Sequence, residues 1–167
     1  MISVDELKQT INARLENYLT SRLGEVKTIT VSLLEAQNHI LAQDIAASFD
    51  IPRQNLSSMD GFAIATGSYL DHDSQLEIIG ESGAGKPFNG RLRPNQGVRI
   101  FTGAVVPNDC DTVVMQEDTN LSDIQSSLDN SQAYHIRLTQ TAKVGANIRR
   151  QGEEVQAGET VLTIGKR

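Results

Sequence analysis

Apolar residues near the N-terminus recur at helical spacing. Leu7, Ile11, Leu15, Tyr18 and Leu19 fall on one stripe. Ser3 and Glu6 are spaced as a capping box, and Gly24 stands where a C-cap belongs. The pattern predicts a helix over residues 4–22. A second capping box, Ser32 with Glu35, predicts a shorter helix with Leu33, Ala36, Ile40 and Leu41 inward. Between them, residues 26–31 alternate and predict a short strand or extended arm. After about Ala47 the apolar runs become short and turns frequent. Residues 61–64, 76–79, 97–101, 112–115, 133–138 and 160–164 read as strands, separated by glycine, proline and asparagine. Residues 119–132 are polar and predict an exposed hairpin loop. The fold class is therefore α+β: N-terminal helices with an extended arm, then a β-rich domain built as a barrel-like or sandwiched sheet.

The chain has 167 residues, enough for one ordinary domain or two small ones. With no Trp, four Phe and three Tyr, aliphatic side chains must supply most of the burial. The 15 basic and 21 acidic residues give a net charge of -6, which argues against a nucleic-acid footprint. No apolar run reaches the length of a membrane span, and the N-terminus lacks a basic-then-apolar leader. Cys110 is the only cysteine, so no internal disulfide forms and a reducing, cytoplasmic setting is expected. Its neighbours Asp109 and Asp111 disfavour a thiolate and hence a nucleophilic role.

Residues 80–86 (Gly-Glu-Ser-Gly-Ala-Gly-Lys) match the spacing of a phosphate loop. The next residue should be the Ser or Thr that binds magnesium, but it is Pro87, and no helix pattern follows. A strand, a glycine bend and a turn are expected instead. Ser57-Ser58-Met59-Asp60-Gly61-Phe62-Ala63 places an acid where a loop meets a strand, which suits a ligand-facing carboxylate or a self-capping turn. Arg99-Ile100-Phe101-Thr102-Gly103-Ala104 reads as a strand ending in a glycine turn, with Thr102 at its end. Residues 147–154 set Arg149 and Arg150 against Glu153 and Glu154, as an anion site or a solvated salt-bridge turn. His39, His72 and His135 do not stand at metal-ligand spacing.

Together with Ala84-Gly85-Lys86-Pro87-Phe88-Asn89-Gly90 and Asp111-Thr112-Val113-Val114-Met115-Gln116-Glu117, these blocks resemble the N-terminal half of the molybdopterin molybdenumtransferases, the family that includes the C-terminal domain of gephyrin. They run in the family's order over nearly the whole chain. The resemblance implies an enzyme of molybdenum cofactor biosynthesis that takes adenylylated molybdopterin and molybdate, inserts the metal at the dithiolene and releases AMP. A divalent cation, usually magnesium (Mg2+), assists. Members are homodimers, fed by a molybdopterin adenylyltransferase. Their site lies where the β-rich domain of one subunit faces the pterin-binding domain of the other. Carried over, Asp60 and Thr102 are catalytic, while Ser58, Met59, Gly103 and Arg149 contact the cofactor. Asp60 and Glu154 are the candidate metal ligands. Thr102 is expected to donate to an oxyanion and Arg149 to hold phosphate or molybdate.

Three departures stand out. Glu154 replaces the usual aspartate, Gln151 an expected arginine, and Val105-Val106-Pro107 a more usual Pro-Val-Pro. The resemblance also implies a discontinuous first domain, residues 1–46 with 156–167, around a β-rich second domain, residues 47–155. Family chains are more than twice as long, so the pterin-binding α/β domain and the C-terminal β domain are expected to be missing. A fragment inactive on its own is the expectation. The alternative is a non-catalytic dimerisation or scaffold module of the same family.

Overall fold

The computed structural model describes residues 2–23, 28–127 and 132–167. It has two compact units, Met1–Asp44 with Leu162–Arg167, and Ile45–Val161.

In the first unit, helix α1 (Val4–Leu23) opens with the expected box. The Ser3 N–H donates to Glu6 Oε2 at 2.9 Å, and the Glu6 N–H donates to Ser3 Oγ at 3.2 Å. Its stripe faces solvent: Leu7, Ile11, Leu15 and Leu19 are 40 to 54% exposed. The expected second helix does not form. Ser32 and Glu35 make their hydrogen bonds, through the Ser32 N–H at 3.3 Å and Oγ at 2.8 Å, but only a single turn follows. Leu33 and Leu34 are more than 90% exposed, so no burial rewards a longer helix. Asn38, at φ 69°, then takes the chain out of helical geometry. Gly24 and part of the 26–31 arm lie outside the described residues, and residues 28–31 have no regular structure. The C-terminal residues return onto 38–44 through Leu41 N–H to Lys166 O (2.8 Å), Gly165 N–H to Leu41 O (2.9 Å) and Ile164 N–H to Asp44 Oδ1 (2.7 Å).

The second unit is built on strands β1 (Ile45–Ala46), β2 (Leu56–Ser57), β3 (Gly61–Ala65), β4 (Gln75–Ser82), β5 (Gln96–Ile100) and β6 (Cys110–Met115). A short helix α2 (Leu121–Ile124) and strands β7 (Tyr134–Arg137), β8 (Ile148–Arg149) and β9 (Thr160–Leu162) follow. Five strands form one mixed sheet in the order β6-β3-β5-β4-β7, while β1 pairs with β9 and β2 with β8. β4 and β5 run parallel, and the other pairs of the main sheet are antiparallel. The sheet is open. Closing it into the expected barrel would require β6 to pair with β7, and they are its two edges.

β3 is buried along its whole length because it lies inside the sheet and both of its faces are covered. Phe62 and Ile64 join one apolar cluster with Leu76, Ile78, Val114, Ile136 and Leu138. Ala63 points the other way, into a cluster with Val98, Ile100, Ala104, Val106 and Val113. An all-apolar Gly-Phe-Ala-Ile-Ala strand is what a doubly covered position demands. Within the expected hairpin loop over 119–132, residues 121–127 are instead helical. Leu121 and Ile124, one helical turn apart, turn inward onto the first cluster. Residues 128–131 lie outside the described residues.

Candidate functional site

The loop between β2 and β3 is held from several directions. The Ser57 N–H donates to Ala104 O at 2.9 Å, and the Gly103 N–H donates back to Ser57 O at 2.8 Å. Within the loop, Ser57 Oγ donates to Met59 O at 2.6 Å. The Ser58 N–H donates to Asn147 O at 2.9 Å, just before β8, and β8 pairs Arg149 with Leu56. The Gln116 N–H donates to Asp60 O at 3.1 Å. Phe101–Ala104 is a turn closed by Ala104 N–H to Phe101 O at 2.9 Å, with Gly103 at φ 79° in the position that requires glycine.

This frame brings Asp60 and Thr102 together. Asp60 Oδ1 accepts two hydrogen bonds, from the Thr102 N–H and from Thr102 Oγ1, both 2.8 Å. The backbone bond, then the hydroxyl bond, and lastly the nearby Arg99 charge hold the carboxyl below the usual carboxylate range, against a small opposing effect of burial. Both residues are exposed, and among the described residues none donates a hydrogen bond to Asp60 Oδ2. The Thr102 hydroxyl therefore gives its proton to Asp60. Donation to an oxyanion would require that bond to break.

Of the other expected residues, Ser58, Met59 and Gly103 adjoin this pair along the chain. Met59 is 43% exposed and Ser58 half-buried. Arg149 is paired with Glu154, and both are about half exposed. No hydrogen bond or ion pair joins the Arg149–Glu154 pair to the Asp60–Thr102 pair. Among the described residues no group of three or more His, Cys, Asp or Glu side chains is placed to hold an ion. Asp60 could give a magnesium ion one carboxylate ligand, with the rest of its shell supplied from outside the described residues. Gln151, where an arginine was expected, is tied to the scaffold by its N–H to Asn55 Oδ1 (2.9 Å) and its Nε2 to Asp50 Oδ2 (2.6 Å).

The glycine run at 80–86 is no phosphate cradle. Gly83 and Lys86 exchange backbone hydrogen bonds of 3.1 and 3.0 Å across a tight turn, so those N–H groups already have partners. Two residues given no role by the motifs also touch the loop. Arg99 and Gln116 bond to the main chain at Gly61 and Asp60 respectively. In the sequence Arg99 stands between Val98 and Ile100, but nothing local ties it to residues 60 and 61. Arg99 also lines a cleft of about 430 Å3 together with Ile78, Phe101, Leu121 and Tyr134. No described helix is long and apolar enough to cross a membrane.

A family model described as the MoeA N-terminal region (domain I and II) matches residues 2–167. The molybdopterin molybdenumtransferase of Staphylococcus epidermidis strain RP62A is 40% identical over 147 residues, 86% of this chain and 33% of that one. The enzyme of the same name from Haemophilus influenzae strain Rd is 37% identical over 139 residues, 83% of this chain and 32% of that one. The crystal structure of the molybdopterin biosynthesis moeA protein from Pyrococcus horikoshii OT3 superposes with a TM-score of 0.66 at 28% identity, covering 83% of this chain and 35% of that one. The chain spans about a third of the length of the curated relatives it matches. Matched by the family model from its second residue to its last, it belongs to the MoeA N-terminal region family.

Proposed function

We propose that this chain forms one wall of the cleft in which a molybdopterin molybdenumtransferase inserts molybdate into adenylylated molybdopterin and releases AMP. The observation that carries the reading is the Asp60 carboxylate: one oxygen is anchored by two bonds from Thr102, and the other, on an exposed surface, has no donor among the described residues. A carboxylate oriented in advance and kept ionised can hold a hard cation or position a metal oxyanion without reorganising. Thr102 supplies the orientation. Ser58, Met59 and Gly103 line the approach, and Arg149, on leaving Glu154, holds a phosphate or molybdate oxygen. Magnesium, bound through Asp60, would neutralise charge on the leaving phosphate.

The reading extends to a homodimer in which the wall faces the pterin-binding domain of the partner subunit. A molybdopterin adenylyltransferase supplies the substrate. On this reading these residues do not turn over by themselves, because the facing wall comes from the pterin-binding domain of the partner subunit. In the full-length protein, Asp60→Asn is expected to lower molybdenum insertion at least about 100-fold. Thr102→Val, which loses the side-chain bond but keeps the backbone one, should cost roughly tenfold. The measurement is AMP release from adenylylated molybdopterin and molybdate, with dimerisation followed in parallel. Full activity of Asp60→Asn would refute the catalytic reading and favour the scaffold alternative.

A further inference from the structure

Thr102 holds the Asp60 side chain, and a separate set of contacts holds the main chain behind it. Arg99 Nη1 donates to the Gly61 carbonyl at 3.3 Å, and Nη2 donates to the Gln116 side-chain oxygen. Gln116 returns to the loop through its own N–H, which donates to the Asp60 carbonyl at 3.1 Å. Its Nε2 donates to Glu117 Oε1 at 3.0 Å, so the neutral amide bridges the guanidinium and the carboxylate. The Arg99 guanidinium carbon lies 5.1 Å from the ring centres of both Phe62 and Phe101. Those rings flank the two ends of the loop contact, one just after Asp60 and one just before Thr102. Two consecutive carbonyls, those of Asp60 and Gly61, are thus bonded to two side chains or backbones that are bonded to each other.

We propose that Arg99 and Gln116 are a positioning pair: they fix the main chain at Asp60 and Gly61 so that the Asp60 carboxylate meets Thr102 and leaves its second oxygen without a donor among the described residues. The inference rests on the reading of Asp60 as a site residue for its importance, but not for its test. A planar guanidinium reaches the Gly61 carbonyl and the Gln116 oxygen at once, and it stacks on aromatic rings. A lysine keeps the positive charge but offers a point donor, so Arg99→Lys separates charge from geometry. Arg99 is also the charged group whose field reaches the Asp60 carboxylate, with Glu117 on the far side of Gln116.

The experiment uses this chain, labelled for NMR. The Thr102 amide proton should be protected from solvent exchange, because it is hydrogen-bonded to Asp60. In Arg99→Lys and Arg99→Gln this protection is expected to fall tenfold or more, because the main chain behind Asp60 is no longer held. Gln116→Met, close in shape, should give the same loss should the Arg99 variants fail to fold. Arg137→Gln, which breaks only the Arg137–Asp73 pair, should leave Thr102 untouched. Unchanged Thr102 protection in folded Arg99 and Gln116 variants, even with a lower melting temperature, would reduce the pair to structural support and overturn the proposal. No turnover is needed, so a retained activity of Asp60→Asn would defeat the catalytic reading and leave this result standing.

Discussion

Cys110 is buried at the start of β6 between two aspartates. Burial first, then Asp109 and Asp111, push its thiol from an ordinary value of 9.0 up to about 12. The folded chain therefore keeps a neutral thiol where the unfolded chain would ionise. Below about pH 8.5 this difference has no effect on stability. Between about pH 9 and 12 unfolding releases a proton, so stability falls with rising pH by up to about 1.4 kcal/mol per pH unit. Urea midpoints across that range should show the slope in the natural chain and a shallower one in Cys110→Ala. An aromatic disulfide reagent at pH 8 should leave the folded chain unlabelled. The acids beside Cys110 were readable in the sequence, but the larger cause, burial, required the fold. Asp60 and Thr102 stood out locally only as an acid where a loop meets a strand and a threonine at a strand's end, and the family resemblance supplied the expectation that they share a cleft. Arg99 and Gln116 did not stand out, since their shared contacts join residues 17 and 38 positions apart.

Among the elements, the β3–β6 pair has the tightest tolerance. Gly61 faces Met115, and a Cβ placed there would lie 1.9 Å from the Val114 carbonyl oxygen. The obstacle is backbone of the adjacent strand, so no side-chain rotation relieves it. Gly61→Ala should destabilise the unit by about 3 kcal/mol or more, seen as a fall of roughly 10 °C in the melting temperature. Strands β3 to β7 were legible because apolar residues cluster at strand length between turn residues, and the two-faced burial of β3 follows from its uniform composition. The second helix was misread for an instructive reason. The Ser32–Glu35 bonds form, so the local signal is genuine, yet a capping box starts a helix without extending it. The α2 segment was missed because its apolar face is only Leu121 and Ile124, too short for periodicity to register.

At the level of the whole molecule, burial is uneven. Every buried hydrophobic among the described residues lies between Phe62 and Leu138, inside the second unit. Helix α1 by contrast presents its stripe at 40% exposure or more. An isolated helix of this length is marginal without tertiary cover. In hydrogen exchange at micromolar concentration, the α1 amides should exchange orders of magnitude faster than those of β3. With increasing chain concentration, α1 protection should rise while β3 stays constant, as expected if a second copy covers the stripe. Protection of α1 that ignores concentration would remove the support for self-association through this face. The open sheet could not be read from the strand pattern, because closure depends on which edges pair and that information is non-local. The turn in which Gly83 and Lys86 bond only to each other has a practical consequence. Its two central residues, Ala84 and Gly85, are exposed and contribute nothing to either apolar cluster. The polypeptide could be cut and rejoined there, or carry a fused reporter, and still fold.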